Sequence, residues 1–266
     1  MKIGFLGFGN IAKSAIQGIN NKKIKNIEKI YVSSLDYSTC KEDAKKYDVT
    51  ACKTNEELVN NSDVVFLCVK PNQAKDVLKE VNLTNKILIS FVAGLFCDDL
   101  NEMIDSCHHI SVIPNTAMSV NKGVLLCEKE HTLDNKEYKI VTKLLEKIGS
   151  IEVVDKEQMS IATVIAGCAP AFVAMFIEAL GDAGCRFGLD RKTSYRLASK
   201  MLEGTGKMAY VLDKHPGELK DAVCSPNGST IKGVCELEDG RIVSCSMDKK
   251  IIVWKTDFIK DKTINS

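Results

Sequence analysis

The chain has 266 residues, 45% of them hydrophobic and 27% charged, with a formal net charge of +1. That length suits two domains or one large one, since domains usually run to roughly 100–200 residues. The near-neutral charge, with lysines and acids intermixed, argues against a nucleic-acid backbone or an acidic membrane as partner. Eleven cysteines is a high count, but it is odd and contains no C-x-x-C pair. Most sit in apolar runs such as Val64-Val65-Phe66-Leu67-Cys68-Val69. They read as small buried hydrophobes rather than a disulfide framework or a zinc site, which implies a reducing compartment, the cytoplasm.

Met1 to Leu6 is a short apolar run ending in glycines, and no leader is expected ahead of it. Asn10 to Ile19 carries a helical pattern, and Ile30-Tyr31-Val32 is the next strand. Thr39-x-x-Glu42 and Thr54-x-x-Glu57 both match the capping box that opens a helix. Asp63 to Val69 is a nearly continuous apolar strand stopped by Lys70-Pro71, and Ile87–Phe91 and Ile110–Ile113 repeat the pattern. Unbroken apolar strands separated by helices imply a parallel sheet covered on both faces. Asn135 to Ile148 follows as an amphipathic helix and Ile151 to Val154 as a last strand.

Beyond Asp155 the texture changes, and Lys156 to Leu212 shows only helical periodicity. The expected organisation is α/β, with a Rossmann-type dinucleotide-binding domain over 1–155 and an all-α domain over 156–266. Ser160 to Ile177 carries no charge and approaches the ~20 residues of a membrane span. With Pro170 inside it and Glu178 and Asp182 just after, it is expected instead as a buried helix of a soluble dimer. Cys107-His108-His109 holds metal-ligand residue types, but adjacent side chains diverge, so no metal is expected there.

Gly7-Phe8-Gly9-Asn10-Ile11-Ala12 is a G-x-G-x-x-A turn after a strand and before a helix. The first glycine permits the tight turn, the second lets backbone approach a pyrophosphate, and Ala12 allows close helix–strand packing. The helix amides and dipole then hold the phosphates. The second strand ends Val32-Ser33-Ser34, where an NAD enzyme commonly has a carboxylate. Two hydroxyls suit a 2′-phosphate, so NADPH is favoured. NADH stays open, since no arginine is near and Asp36 could reach the ribose.

Val69-Lys70-Pro71, Ala93-Gly94, Pro114-Asn115-Thr116 and Gly123 resemble, in order and spacing, the dinucleotide domain of pyrroline-5-carboxylate reductases. Ala166-Gly167-Cys168-Ala169-Pro170-Ala171-Phe172 is similar to that family's S-G-S-G-P-A-Y. Phe176 to Gly184 looks like its buried helix. His215 to Asp221, leading into Ser225-Pro226-Asn227-Gly228-Ser229-Thr230, resembles its S-P-G-G-x-T signature. The resemblance covers residues 1 to about 240. It implies hydride transfer from NAD(P)H to 1-pyrroline-5-carboxylate, a cyclic imino acid, giving L-proline in the last step of proline biosynthesis. It also implies a homodimer or larger homo-oligomer.

By that resemblance Leu6, Gly7, Phe8, Gly9, Asn10, Ile11, Ser33, Ser34, Asn55, Val69, Lys70, Pro71 and Ala93 line the cofactor. Asp213, Gly228, Ser229 and Thr230 hold the substrate, with the amides of Gly228, Ser229 and Thr230 receiving its carboxylate. Thr230 is the expected partner of the ring nitrogen. Ala222 replaces an asparagine of some members, and Asn227 the first glycine of S-P-G-G; if that position needs a positive φ, asparagine tolerates it well. Two other readings stand beside this one: a reductase of a related cyclic imine, and a non-catalytic dinucleotide-binding protein.

Asp239 to Trp254 is similar to part of a WD-repeat blade, where the family would have a final helix. Val243, Met247, Ile251, Trp254 and Phe258 fall on a helical stripe. A helix is expected, because a single blade fragment cannot bury its faces alone.

Overall fold

The structure is a computed structural model that describes residues 1–104, 107–238, 241–245 and 251–255. It forms two compact units, Met1–Pro170 and Ala171–Ser266.

The first unit is built on an eight-stranded sheet. Its strands are β1 (Lys2–Leu6), β2 (Lys29–Ser33), β3 (Thr50–Ala51), β4 (Val64–Leu67), β5 (Ile87–Ser90), β6 (His108–Pro114), β7 (Gly123–Glu128) and β8 (Gly149–Val154). The order is β3-β2-β1-β4-β5-β6-β7-β8. Pairing is parallel from β3 through to β6, antiparallel between β6 and β7, and parallel again between β7 and β8. The antiparallel pair departs from the wholly parallel sheet expected from the apolar runs. Only residues 115–122 join β6 to β7, mostly in the 3₁₀ turn Thr116–Val120. A parallel crossover needs about a dozen residues or more, so the chain must turn back on itself.

Six helices follow the strands: α1 (Asn10–Lys22), α2 (Tyr37–Lys46), α3 (Asn55–Asn60), α4 (Pro71–Lys79), α5 (Cys97–Met103) and α6 (Asn135–Leu145). The period-2 geometry of a strand sends alternate residues to opposite faces, and β4 shows it directly. Val64 and Phe66 pack with Ala12, Ile16 and Leu144 on the α1–α6 face. Val65 and Leu67 pack with Leu58, Ala74 and Leu100 on the α3–α5 face. Phe5 stacks on Phe66 at 4.6 Å across the β1–β4 pair. With both faces covered, these strands have no polar side, which is why they read as unbroken apolar runs.

The capping chemistry of α2 corrects the sequence expectation. Its cap is Asp36, whose carboxylate accepts from the amides of Ser38 and Thr39 and from the Thr39 hydroxyl at 2.6 Å. Thr39 lies inside the helix. Asp-x-x-Thr and Thr-x-x-Glu overlap in this segment, and the earlier carboxylate, an N-cap residue of at least equal rank, takes the site. At α3 the expected box is present with one change. Thr54 accepts from the Glu57 amide at 3.1 Å, while Glu57 reaches back to the Lys53 amide.

The chain is helical from Lys156 to Arg186, through α7 (Lys156–Thr163), a π-helical turn at Val164–Cys168 and α8 (Ala169–Arg186). By length and composition this run could cross a membrane. It is not buried within the single chain: Ile165 is 69% and Phe172 61% exposed. In the second unit α8 is followed by α9 (Arg191–Leu212), α10 (Pro216–Asp221) and α11 (Ser229–Glu238). Gly181 and Gly184 let α8 and α9 approach closely, because a Cβ there would lie 2.2 Å from the Tyr195 ring and 2.5 Å from the Ser194 hydroxyl. Arg191 joins the same two helices through Asp182 at 2.6 Å.

The tail expectation is overturned. In place of a helix, β9 (Arg241–Cys245) and β10 (Ile251–Lys255) pair antiparallel, Ile251 opposite Cys245 and Lys255 opposite Arg241. Ile242-Val243 and Ile251-Ile252-Val253 are β-branched, which favours a strand over a helix locally. Met247 and Phe258 of the expected stripe lie outside the described residues.

Candidate active site

In a doubly wound sheet ligands bind beyond the carboxyl ends of the strands, where the winding reverses. Here that point lies between β1 and β4, and a cleft of about 520 Å³ opens there. Gly7, Phe8 and Gly9 enter it from the end of β1, Ser34 and Leu35 from β2, Asn55 from the start of α3, and Cys68, Val69 and Lys70 from β4. Gln73, Asp76, Val77 and Glu80 close it from α4.

The two glycines do different work. Gly7 has φ +91°, and a Cβ on it would lie 2.7 Å from the Cys68 carbonyl oxygen. Its amide donates to the Ser33 carbonyl at 3.1 Å, so the turn is locked between β2 and β4. Gly9 has an ordinary φ of −84°, and a Cβ on it would meet nothing within 4 Å. Gly9 is also the N-cap of α1, and no side chain caps this helix. The first amides of a helix lack intrahelical partners and carry partial positive charge. Open space in front of uncapped amides is what a bound diphosphate requires, so these residues fit a dinucleotide.

Of the residues expected at the cofactor, Gly7, Phe8, Gly9, Ser34, Asn55, Val69 and Lys70 line this cleft. Leu6 is buried beneath it, and Asn10 and Ile11 open α1. Pro71 is the first residue of α4, and Ala93 lies exposed past the end of β5. Ser33 is a correction: it is 2% exposed and its hydroxyl donates to Asn55 Oδ1 at 2.8 Å, leaving Ser34 as the serine of this pair that lines the cleft. Asp36 is another, since its carboxylate is committed to the α2 cap and, chiefly through the Thr39 hydroxyl, held below the usual range. Sequence reasoning missed the α4 wall. Its positions 73, 76, 77 and 80 fall at i, i+3, i+4 and i+7, one face of a helix, so the period could have supplied it.

The signature loop forms a turn in the second unit. The Gly228 amide donates to the Ser225 carbonyl at 3.0 Å, and Asn227 between them has φ +59°. Asparagine therefore occupies a left-handed position. Because the Gly228 amide is used inside the turn, it is not free for a carboxylate, which corrects the expected trio of amides. Ser229 and Thr230 are the first two residues of α11, both exposed, and their amides belong to the helix's unpaired first turn. Asp213 ends α9 in left-handed backbone, φ +49°, outside this turn. His215 caps α10, accepting from the Gly217 amide at 3.1 Å.

Two histidines of the first unit, His108 and His109, are engaged away from the cleft. His108 is exposed, with Nδ1 2.7 Å from Glu137, whereas His109 is buried with Nε2 3.8 Å from the Cys97 sulfur. Among the described residues no group of three His, Cys, Asp or Glu is arranged to hold a metal.

Known proteins match both parts of the chain. Residues 156–249 match the pattern described as pyrroline-5-carboxylate reductase dimerisation, and residues 2–94 that of NADP oxidoreductase, coenzyme F420-dependent. A Plasmodium falciparum pyrroline carboxylate reductase, solved with NADP bound, superposes with a TM-score of 0.81 at 32% identity, covering 90% of each chain. The Streptococcus pyogenes 1-pyrroline-5-carboxylate reductase gives 0.80 at 25% identity, covering 90% of this chain and 91% of its own. The Treponema pallidum pyrroline-5-carboxylate reductase is 40% identical over 245 residues, which are 90% of this chain and 93% of that protein. On the strength of that match, the chain belongs to the pyrroline-5-carboxylate reductase family.

Proposed function

We propose that the chain reduces 1-pyrroline-5-carboxylate to L-proline in the cytoplasm as a homodimer or larger homo-oligomer, with Thr230 at the reacting ring. The reaction and its NAD(P)H dependence are those of the family. The observation that carries the reading is that one chain holds both a diphosphate-ready turn at Gly7–Gly9 and the Ser225–Thr230 signature turn. Residues 1–155 serve as the dinucleotide domain and 156–266 as the dimerisation and substrate domain. The exposed apolar run around Phe172 is proposed to pack against a second chain rather than lipid, in keeping with the dimerisation pattern over 156–249. Nucleic acid and membrane have no part in this reading.

The α1 amides, the Gly9 backbone and Lys70 hold the diphosphate, and Ser34 and Asn55 the ribose end. When bound, the nicotinamide supplies the hydride. The substrate enters with its imine nitrogen protonated, so its imine carbon is already electrophilic. As that carbon accepts the hydride, the C=N π pair withdraws to nitrogen, and the ring becomes a secondary amine with no further proton required. The protein's task is orientation. The Ser229 and Thr230 amides receive the carboxylate, and the Thr230 hydroxyl oxygen accepts from the ring N–H. Binding by backbone amides also accounts for a loop without arginine.

The test is a spectrophotometric assay of NADPH and NADH oxidation with pyrroline-5-carboxylate and other cyclic imines, with proline measured as product. Nucleotide binding without turnover would favour the non-catalytic reading. Turnover confined to another imine would favour the related reductase.

A further inference from the structure

We propose that Glu80 sets the discrimination between NADH and NADPH, supplying from the end of α4 the ribose-side carboxylate that β2 lacks. The proposal rests on the reading of the cleft as the dinucleotide site. In this class of fold the tip of β2 reads the adenosine ribose, and an acid there accepts from the 2′-hydroxyl. Here the tip is Ser33-Ser34, and the next acid, Asp36, is held in the α2 cap. A hydrogen-bonded relay crosses from that tip to α4 instead. The Ser33 hydroxyl donates to Asn55 Oδ1 at 2.8 Å, and Asn55 Nδ2 donates to Glu80 Oε2 at 3.1 Å. Glu80, Asn55 and Ser34 all line the one cleft.

The relay fixes which way the Asn55 amide faces, because its oxygen is matched to a donor and its nitrogen to an acceptor. It also fixes a negative charge beside the β2 tip. Among the described residues lining the cleft, the basic and acidic side chains are Lys70 at the β4 end and Asp76 and Glu80 on α4. A 2′-hydroxyl can donate to the second Glu80 oxygen. A 2′-phosphate is chiefly an acceptor and brings about 1.5–2 further negative charges. Glu80 therefore favours NADH and opposes NADPH, against the preference of Ser34 for a phosphate.

The experiment uses the full chain without substrate, titrated with NADH and with NADPH and followed by nucleotide fluorescence. Glu80→Gln keeps an acceptor for Asn55 Nδ2 but removes the charge. NADPH should bind about tenfold more tightly to it, close to what one charge contact is worth when water screens it. NADH affinity should hold or fall about threefold, and the NADPH gain should shrink at high salt. Glu80→Ala, which also frees Asn55, should weaken NADH further. An equal change for both nucleotides, or none, overturns the proposal. Should the unaltered chain bind neither nucleotide, the reading of the cleft fails and the proposal with it.

Discussion

The two glycines of the first turn predict opposite outcomes for the same substitution. In Gly7→Ala the methyl group must sit at φ +91° and 2.7 Å from the Cys68 carbonyl oxygen, with the Val69 side chain at 2.9 Å. The left-handed backbone alone costs an alanine about 1–2 kcal/mol, and a backbone carbonyl cannot swing aside as a side chain can. A total near 2 kcal/mol lowers the melting temperature by roughly 4–8 °C in a protein of this size. In Gly9→Ala the methyl group enters empty space at an ordinary φ of −84°. Alanine is a poorer cap than glycine, yet it also restricts the unfolded chain, and the two effects offset to within about 0.5 kcal/mol. The added methyl group does, however, hold a diphosphate away from the α1 amides. Losing one or two hydrogen bonds to a charged group, at about 1.5–3 kcal/mol each, weakens NADPH binding at least ~tenfold. Thermal melts beside fluorescence titrations of NADPH separate the two variants. A Gly9→Ala protein that binds NADPH as tightly as the unaltered chain would refute the placement of the diphosphate.

The remaining predictions concern the loop, the assembly and the acid limit of stability. Thr230→Ala should lower kcat/KM about ten- to a hundredfold, the value of a hydrogen bond to a charged nitrogen, with NADPH affinity unchanged and Thr230→Ser largely restored. Full activity in a stably folded Thr230→Ala would exclude the hydroxyl from the reaction. Light scattering should give at least twice the chain mass of 29.3 kDa, and Phe172→Glu should shift the protein towards monomer; an active monomer before substitution would refute the interface. Lys13 and then Lys46 bond to Asp43 and hold its carboxyl at about 2 in place of 3.8. A lowered folded value gives stability that is complete above about pH 4 and is lost as the pH falls towards 2, so Asp43→Asn should flatten the melting-temperature profile across that window.

What the sequence reveals depends on whether a position's physics demands one residue type. Gly7 is legible because nothing else fits against the Cys68 carbonyl, and β4 because a strand buried on both faces admits only apolar side chains. The direction of β7 is not legible. Its residues Val124 to Cys127 would look the same in either orientation, and the length of the connection before it decides. Asp36 and Thr39 are both good caps three residues apart, and only the folded chain shows which one reaches the free amides. In the tail, a stripe read over sixteen positions lost to β-branched runs of two and three residues. Ser33 is the last residue of β2 and Ser34 the first beyond it, so one residue type stands at two adjacent positions, and only the fold shows that Ser33 is held by Asn55 while Ser34 lines the cleft.

The cysteines show why so little of the site's chemistry lies in titratable side chains. Burial pushes the Cys68 thiol up, and likewise Cys52 to about 11 and Cys107 and Cys127 to about 12. A thiol held there stays protonated near neutral pH and is a poor nucleophile and metal ligand. Cys68 nonetheless stands at the floor of the cleft, where it acts through its backbone: its carbonyl excludes any Cβ from Gly7, and its amide donates to the Leu6 carbonyl at 2.7 Å. The same holds for Gly9 and, in the proposed mechanism, for the amides of Ser229 and Thr230. A reaction whose electrophile arrives protonated needs fixed backbone donors more than it needs an acid. In such a site the decisive residues are those that shape backbone, glycine and asparagine at turns, rather than histidines or thiols.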